Sequence, residues 1–124
     1  QLLFEKSTEF GNTRGLNLLK GTVEKFKKKE VKIVPHMNWN KIYFKNLENV
    51  STLNPFDKKE FYFVHSFYCR IKKKENLLTY TNHENLEFCS SVRHENILGT
   101  QFHPEKSGKI GINFLKKIEK FYEK

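Results

Sequence analysis

Residues 101–107 place an imidazole and a carboxylate two positions apart, where a strand-like segment gives way to a helical one. His103 and Glu105 flank Pro104. On an extended backbone, side chains two positions apart point the same way, and proline leaves little freedom between them. A carboxylate that accepts from one imidazole nitrogen lets the other act as a general base, which is two-thirds of a nucleophilic triad. Taken by type alone, the pair also fits an ordinary surface contact.

Two further segments concentrate residues that can do chemistry or recognition. Residues 35–40, PHMNWN, hold the only Trp and the only Met. Trp39 is interpreted either as a packing residue or as an interface anchor. Residues 64–68, VHSFY, bring an apolar strand to His65 and Ser66, either as a satisfied core histidine or as part of a site.

Motif spacing argues against several other site classes. The five histidines form no HxH or HExxH pair and no set with the cysteines, so no metal site is expected. GxGxxG, GxxxxGK[ST] and GxSxG motifs are all missing, so neither a nucleotide loop nor a hydrolase elbow is expected.

The net charge of +9 raises the possibility of a basic, non-catalytic binding module. Among 23 basic residues, however, only Arg14, Arg70 and Arg93 are arginine, the residue that best reads phosphates and bases. A solvated lysine-rich surface is the simpler interpretation, with no nucleic-acid partner. No apolar run has the length of a membrane span, and Cys69 and Cys89 lack CxxC spacing. Two buried free thiols and a cytoplasmic location are therefore expected.

Hydrophobic periodicity predicts a short helix, several short strands and a terminal helix within one domain. The predicted first helix covers residues 1–10, and the last begins after Ser107 as N-cap. The strongest predicted strand is the apolar run 61–68, whose continuity suggests burial on both faces. The other predicted strands are 22–26, 31–34, 41–44, 77–80, 88–92 and 97–102. This order indicates an α+β or α/β fold.

Four motifs together resemble one enzyme family. The QFHPE sequence at 101–105 matches the segment that supplies the His and Glu of class I, triad-type glutamine amidotransferases. PHMNWN at 35–40, YFVHSFY at 62–68 and GLNLLKG at 15–21 are similar to PHMGWN, YFVHSYY and GLGLIxG. Those three are typical of the glutaminase subunits of imidazole glycerol phosphate synthases. The four occur in the family's order across almost the whole chain.

The resemblance implies a fold, a reaction and a set of residues. The fold is α/β, a flavodoxin-like sheet with an added antiparallel portion. The reaction is hydrolysis of glutamine to glutamate, with ammonia passed to a (β/α)₈ cyclase subunit that makes imidazole glycerol phosphate in histidine biosynthesis. No cofactor or metal is implied. The residues implied are catalytic His103 and Glu105, substrate-binding Gln1, His65, Ser66 and Phe67, and partner-facing Trp39 and Lys106.

The resemblance also implies a nucleophilic cysteine outside this sequence. In the family it stands in C-x-G-M-Q-L-L-F, and Gln1–Phe4 matches the end of that motif. The chain is therefore expected to cover the C-terminal three-fifths of a single amidotransferase domain and to be inactive alone. Neither Cys69 nor Cys89 has the expected elbow context.

Three departures keep a second pathway open. Asn38 and Asn17 stand where the family has glycine, and Phe67 replaces a tyrosine. If the family glycine at position 38 serves a left-handed backbone, asparagine is the residue best able to replace it. The triad residues are unchanged, so a paralogous subunit feeding ammonia to a surface-sugar aminating enzyme remains the alternative.

Overall fold

The computed structural model describes residues 1–123 as a largely β structure that ends in one long helix. Short 3₁₀ segments cover Glu48–Phe56, Lys74–Asn76 and Pro104–Lys106. The strands and the helix are β1 Phe4–Ser7, β2 Thr13–Arg14, β3 Leu19–Lys25, β4 His36–Lys41, β5 Tyr43–Phe44, β6 Glu60–His65, β7 Phe67–Ile71, β8 Leu77–His83, β9 Leu86–His94, β10 Ile97–Thr100 and α1 Gly108–Tyr122.

Two sheets organise these strands. The larger follows the order β2-β1-β3-β7-β9-β8-β5, with β10 paired to β9, and the smaller consists of β4 and β6. β1 and β3 run parallel, whereas the other pairings are antiparallel. This mixed, mainly sheet architecture agrees with the expected α/β class and its antiparallel portion.

The predicted helix over residues 1–10 is wrong, because this segment contains β1. Phe4 is buried, and Leu3 accepts backbone hydrogen bonds from Leu18 and Leu19. A side chain at Gly15 would place its Cβ 2.1 Å from the Phe4 carbonyl oxygen, so glycine permits this close approach. Pairing with β2 and β3 therefore overrides the helical spacing of the local sequence.

The predicted strand 61–68 is divided at Ser66 between the two sheets. β6 pairs with β4, and β7 pairs with β3 and β9. Burial alternates along β6, with Phe61, Phe63 and His65 inside, so the expectation of burial on both faces is wrong. The chain thus passes from one sheet to the other at residues 65–67.

Of the other predicted strands, five match or overlap strands of the structure and one does not. Residues 22–26, 77–80, 88–92 and 97–102 largely coincide with β3, β8, β9 and β10, and 41–44 overlaps β5. Residues 31–34 form no strand: Val31 packs into the core from a turn and Ile33 is exposed.

An aromatic core holds the terminal helix against the sheets. Phe114 of α1 contacts the rings of Phe56, Phe61 and Phe102, with centroid separations of 5.2, 5.3 and 5.4 Å. The predicted terminal helix is confirmed, and its Leu115 is 46% exposed. No helix among residues 1–123 has both the length and the apolarity that crossing a membrane requires.

Candidate active site

The QFHPE segment forms an ordered His–Glu pair at the end of β10. His103 Nδ1 lies 2.7 Å from Glu105 Oε1, and both side chains are partly exposed. Within residues 1–123 no hydrogen-bond partner occupies the other ring nitrogen, Nε2. This arrangement orients the imidazole and leaves Nε2 available for proton transfer.

Glu105 is held in its charged form. Desolvation raises the pKa of this carboxyl, whereas the hydrogen bonds from its own backbone N–H and from His103 lower it. The nearby charges of His103 and Lys106 act in the same direction, so the pKa lies below its ordinary value. A charged Glu105 accepts from His103 Nδ1–H and stabilises the imidazolium when Nε2 takes a proton.

The backbone of His103 is fixed to β6 by Tyr62 and Ser107. The His103 N–H donates to the Tyr62 carbonyl at 2.9 Å. The Ser107 hydroxyl donates to the His103 carbonyl at 2.6 Å and accepts from the Tyr62 N–H at 2.9 Å. Ser107 does stand at the N-cap position, but its side chain makes no capping hydrogen bond. The hydroxyl instead joins two segments of the site.

Gly111 lets α1 approach the turn that follows His103. A Cβ at this position would lie 1.8 Å from the Pro104 carbonyl oxygen, a distance no side chain can occupy. Pro104 itself is buried, and the Gly111 N–H donates to the Ser107 carbonyl at 3.2 Å. Close packing of the helix therefore supports the turn that carries His103 and Glu105.

The four residues expected to bind substrate come together beside this turn. His65 ends β6, Ser66 follows and Phe67 begins β7. The Gln1 side-chain amide donates to the Phe67 carbonyl and to Gln101 Oε1, both at 3.0 Å. An open cleft of about 380 Å³ is lined by these residues, together with Glu9, Pro35 and Val64.

Three buried histidines cluster next to the cleft, and one of them, His65, lines it. His36 and His65 are hydrogen-bonded through their rings at 2.8 Å, and His83 stacks on His36 with a centroid distance of 4.3 Å. Burial, reinforced by the neighbouring imidazoles, lowers the pKa of His36 to about 3 and that of His65 to about 4. Both rings are therefore neutral near pH 7. Among residues 1–123 no three His, Cys, Asp or Glu side chains converge as metal ligands.

The two thiols lack the features of a nucleophile. Cys69 is buried and Cys89 half-buried, they face each other across β7 and β9, and both are free. Burial raises the pKa of both thiols, and the neighbouring Cys69 helps to raise that of Cys89 to about 12. Because the thiolate is the reactive form, neither is suited to attack a substrate near neutral pH.

Trp39 and Lys106, the predicted partner-facing residues, are exposed on adjoining segments. Trp39 pairs with Tyr62 across β4 and β6, and their rings meet edge to face at 6.3 Å. The Tyr62 backbone in turn holds the turn 103–107 that carries Lys106.

The left-handed backbone considered for position 38 occurs at Asn17 instead. Asn17 has φ +54°, whereas Asn38 lies within strand β4, where its Oδ1 accepts from the Trp39 N–H at 2.8 Å. Asparagine at 17 thus replaces a glycine where a left-handed residue is required.

Sequence reasoning missed the supporting roles of Ser107 and Gly111 and the pairing of His36 with His65. A serine that precedes a helix is normally interpreted as an N-cap. A glycine within a helix does not by itself indicate that another backbone carbonyl, here that of Pro104, packs against it. The His36–His65 contact joins residues 29 positions apart. Only the strand register brings them opposite each other.

Comparison with known proteins gives consistent matches. The sequence profile described as glutamine amidotransferase class-I matches residues 1–118. The protein named imidazole glycerol phosphate synthase subunit hisH from Cyanidium caldarium is 43% identical over 131 residues, covering 98% of this chain and 60% of the relative.

Two relatives with the same subunit name agree. The one from Pyrococcus furiosus is 40% identical over 127 residues, covering 97% of this chain and 60% of its own length. The one from Thermotoga maritima is 41% identical over 118 residues, covering 95% of this chain and 53% of its own length. The chain therefore spans between half and three-fifths of the length of these curated relatives.

Proposed function

This chain belongs to the class I glutamine amidotransferase family, and from that premise we propose that the whole protein hydrolyses glutamine to glutamate and ammonia. The observation that carries the proposal is the His103–Glu105 pair, 2.7 Å apart, on a turn beside the cleft lined by Gln1 and residues 65–67. The names of its relatives, subunits of imidazole glycerol phosphate synthase, support the same reaction class.

In the proposed reaction a cysteine thiolate attacks the side-chain amide carbon of glutamine. We propose that this cysteine lies outside the sequence described here, because the buried Cys69 and Cys89 have raised pKa values. Collapse of the tetrahedral adduct breaks the C–N bond, and the His103 imidazolium gives the departing nitrogen its proton. His103 Nε2 then removes a proton from water, which attacks the γ-glutamyl thioester and releases glutamate and the thiolate.

Gln1, His65, Ser66 and Phe67 are assigned to substrate binding in this proposal. Residues 65–67 line the cleft where the chain passes from one sheet to the other. We propose that this segment holds the α-carboxyl and α-amino groups of glutamine, with the Phe67 carbonyl already hydrogen-bonded to His65 and Gln1.

The ammonia acceptor is proposed to be a cyclase subunit of the (β/α)₈ type that makes imidazole glycerol phosphate in histidine biosynthesis. Exposed Trp39 and Lys106 are the proposed contacts, because they flank Tyr62 on the surface next to the His–Glu turn. The two subunits would form a heterodimer in the cytoplasm. No cofactor or metal takes part in the proposed reaction.

The test is ammonia release from glutamine by the whole protein, measured with and without the cyclase and its nucleotide ligand. Release that rises strongly when both are added supports the full proposal. A hydrolysis rate that does not change when the cyclase is added would contradict the assignment to histidine biosynthesis. It would favour the paralogue that supplies a sugar-aminating enzyme. Absence of hydrolysis under every condition would remove the glutaminase assignment itself.

A further inference from the structure

A continuous line of hydrogen bonds joins strand β4 to the segment that lines the candidate glutamine cleft. Asn40 Nδ2 lies 3.1 Å from His36 Nε2, and His36 Nδ1 lies 2.8 Å from His65 Nε2. His65 Nδ1 lies 2.7 Å from the Phe67 carbonyl oxygen. The line therefore crosses from β4 to β6 and reaches the first residue of β7.

The atoms at the two ends allow one direction of donation. The Phe67 carbonyl only accepts, so His65 donates from Nδ1 and, when neutral, presents a bare Nε2. His36 must then donate from Nδ1 and accept at Nε2 from the Asn40 amide. Reversal would set the His65 Nδ1 lone pair against a carbonyl oxygen.

The Asn40 amide cannot turn over to accommodate a reversed line. Its Nδ2 also donates to the Asn82 carbonyl at 2.8 Å, and its Oδ1 accepts from the Lys41 N–H at 2.8 Å. Exchanging the two atoms would break both bonds. The amide orientation and the Phe67 carbonyl thus select the same tautomers independently.

The line continues beyond the Phe67 carbonyl to the catalytic turn. This oxygen also accepts from Gln1 Nε2, whose second hydrogen reaches Gln101 Oε1, with both distances 3.0 Å. Both lone pairs of the carbonyl are used, and both amide hydrogens of Gln1 are used. Gln101 lies two residues before His103, so the side chain of Gln1 is held between the two parts of the site.

The packing around His36 keeps its ring in this position. His36 is 2% exposed and is the cross-strand partner of His65. Its ring lies between His83 and Phe63, with centroid distances of 4.3 and 4.9 Å. A hydrogen-bonded pair packed this closely has few other arrangements.

We propose that His36 and Asn40 are positioning residues for the glutamine site, acting through His65 on the Phe67 carbonyl and, through that oxygen, on Gln1. The inference rests on the proposed glutaminase function. Neither residue reaches the cleft, so their effect is on the placement of groups that bind substrate and not on the chemical step.

The experiment compares two substitutions at His36 in the whole protein. His36→Phe keeps a ring between Phe63 and His83 but has no donor for His65. His36→Asn has less bulk but places its amide nitrogen where Nδ1 stood. We expect the KM for glutamine to rise about tenfold in the Phe variant and less than threefold in the Asn variant. The expected kcat stays within about threefold of the wild type in both.

Two kinetic outcomes would overturn the inference. One is an unchanged KM in a folded His36→Phe protein, shown by an unaltered circular dichroism spectrum. The other is a greater defect in the Asn variant than in the Phe variant, which would trace the effect to ring packing. If neither substituted protein folds, Asn40→Ala takes their place, because Asn40 is half-buried and its removal leaves the ring stack intact.

A second measurement needs no enzymatic activity. Nitrogen-15 NMR of the imidazoles at pH 7 reports which ring nitrogen carries the proton, and we expect Nδ1–H on both His36 and His65. The side-chain amide hydrogens of Gln1 should also exchange with water faster in His36→Phe than in the wild type. An Nε2–H tautomer on either ring, or unchanged exchange at Gln1, rejects the positioning role even if glutamine is hydrolysed. If glutamine is not hydrolysed, the proposed function is wrong. The imidazole nitrogen-15 signals and the Gln1 exchange rates still test the line of hydrogen bonds.

Discussion

The Ser107 hydroxyl donates to the His103 carbonyl at 2.6 Å while it accepts from the Tyr62 N–H at 2.9 Å. A single buried oxygen thereby joins β6, the His–Glu turn and the start of α1. Because the position of the imidazole depends on that of its backbone, this hydroxyl supports the proposed base through the His103 carbonyl.

Ser107→Ala is expected to lower both stability and activity. Loss of the hydroxyl leaves the Tyr62 N–H without its acceptor, which costs about 1–3 kcal/mol of unfolding free energy. Chemical denaturation of this variant and of exposed Asn113→Ala, a matched change within α1, measures the difference. The kcat for glutamine should fall more than KM rises. Equal unfolding free energies for the two variants would contradict a stabilising role of the Ser107 hydroxyl.

Removal of the His103 imidazole should affect the chemical step. His103→Ala is expected to lower kcat by about 10³-fold, as for loss of a general acid and base. Glu105→Gln should have a smaller effect, about tenfold to a hundredfold, because an amide oxygen still accepts from Nδ1–H but cannot stabilise the imidazolium. Glutamate formation by the whole protein measures both changes. A Glu105→Gln protein with wild-type kcat would show that the contact is only a surface ion pair.

Gly111→Ala should displace the catalytic turn. The added Cβ would meet the Pro104 carbonyl oxygen at 1.8 Å, so either the helix or the turn must move. We expect a loss of at least about 2 kcal/mol in unfolding free energy, more than the benefit of alanine in a helix. Thermal unfolding of Gly111→Ala, compared with that of the control variant Asn113→Ala, measures this loss. A stability gain would mean that α1 and the turn separate freely.

Acid should destabilise the fold through His36 and His65. Their pKa values are lowered, mainly by burial, to about 3 and about 4, from 6.5 in the unfolded chain. Above pH 6.5 neither state binds these protons. As the pH falls from 6.5 towards 4, only the unfolded chain binds them, and stability is lost by up to about 1.4 kcal/mol per pH unit for each histidine.

Urea unfolding at several pH values measures that slope, and His36→Asn should reduce it. The ionisable groups that face the pair are His83, stacked on His36, and His103, whose charge acts on His65. Glu84 lies 3.8 Å from His83. A slope in His36→Asn equal to that of the wild type would assign the acid sensitivity to these neighbours.

Neither Cys69 nor Cys89 should be needed for hydrolysis. Burial and the raised pKa values keep both thiols protonated, so a disulfide reagent at pH 8 should modify them only after unfolding. The Cys69→Ala/Cys89→Ala double variant of the whole protein should retain its kcat within about threefold. Loss of a covalent glutamyl intermediate in this variant would identify one of them as the nucleophile.

The sequence by itself determined the family, the terminal helix and the residues of the His–Glu pair. The helix follows from hydrophobic periodicity, and the family and the pair follow from short motifs such as QFHPE at 101–105. His103 and Glu105 do meet, but on a 3₁₀ turn and not on the extended backbone expected from their spacing. The sequence did not assign a left-handed backbone to Asn17. Positive φ also occurs at four residues that are not asparagine, namely Phe10, Lys58, Glu84 and Glu95.

Tertiary structure alone decided what supports that pair. Residues 1–10 have a helical pattern but contain β1, because pairing with β2 and β3 outweighs local propensity. Ser107 has the identity of a helix cap, yet its hydroxyl bonds Tyr62, 45 residues away. His36 meets His65 only through the register of β4 against β6. Contacts between distant segments depend on register and burial, and neither can be deduced from the spacing of residues along the chain.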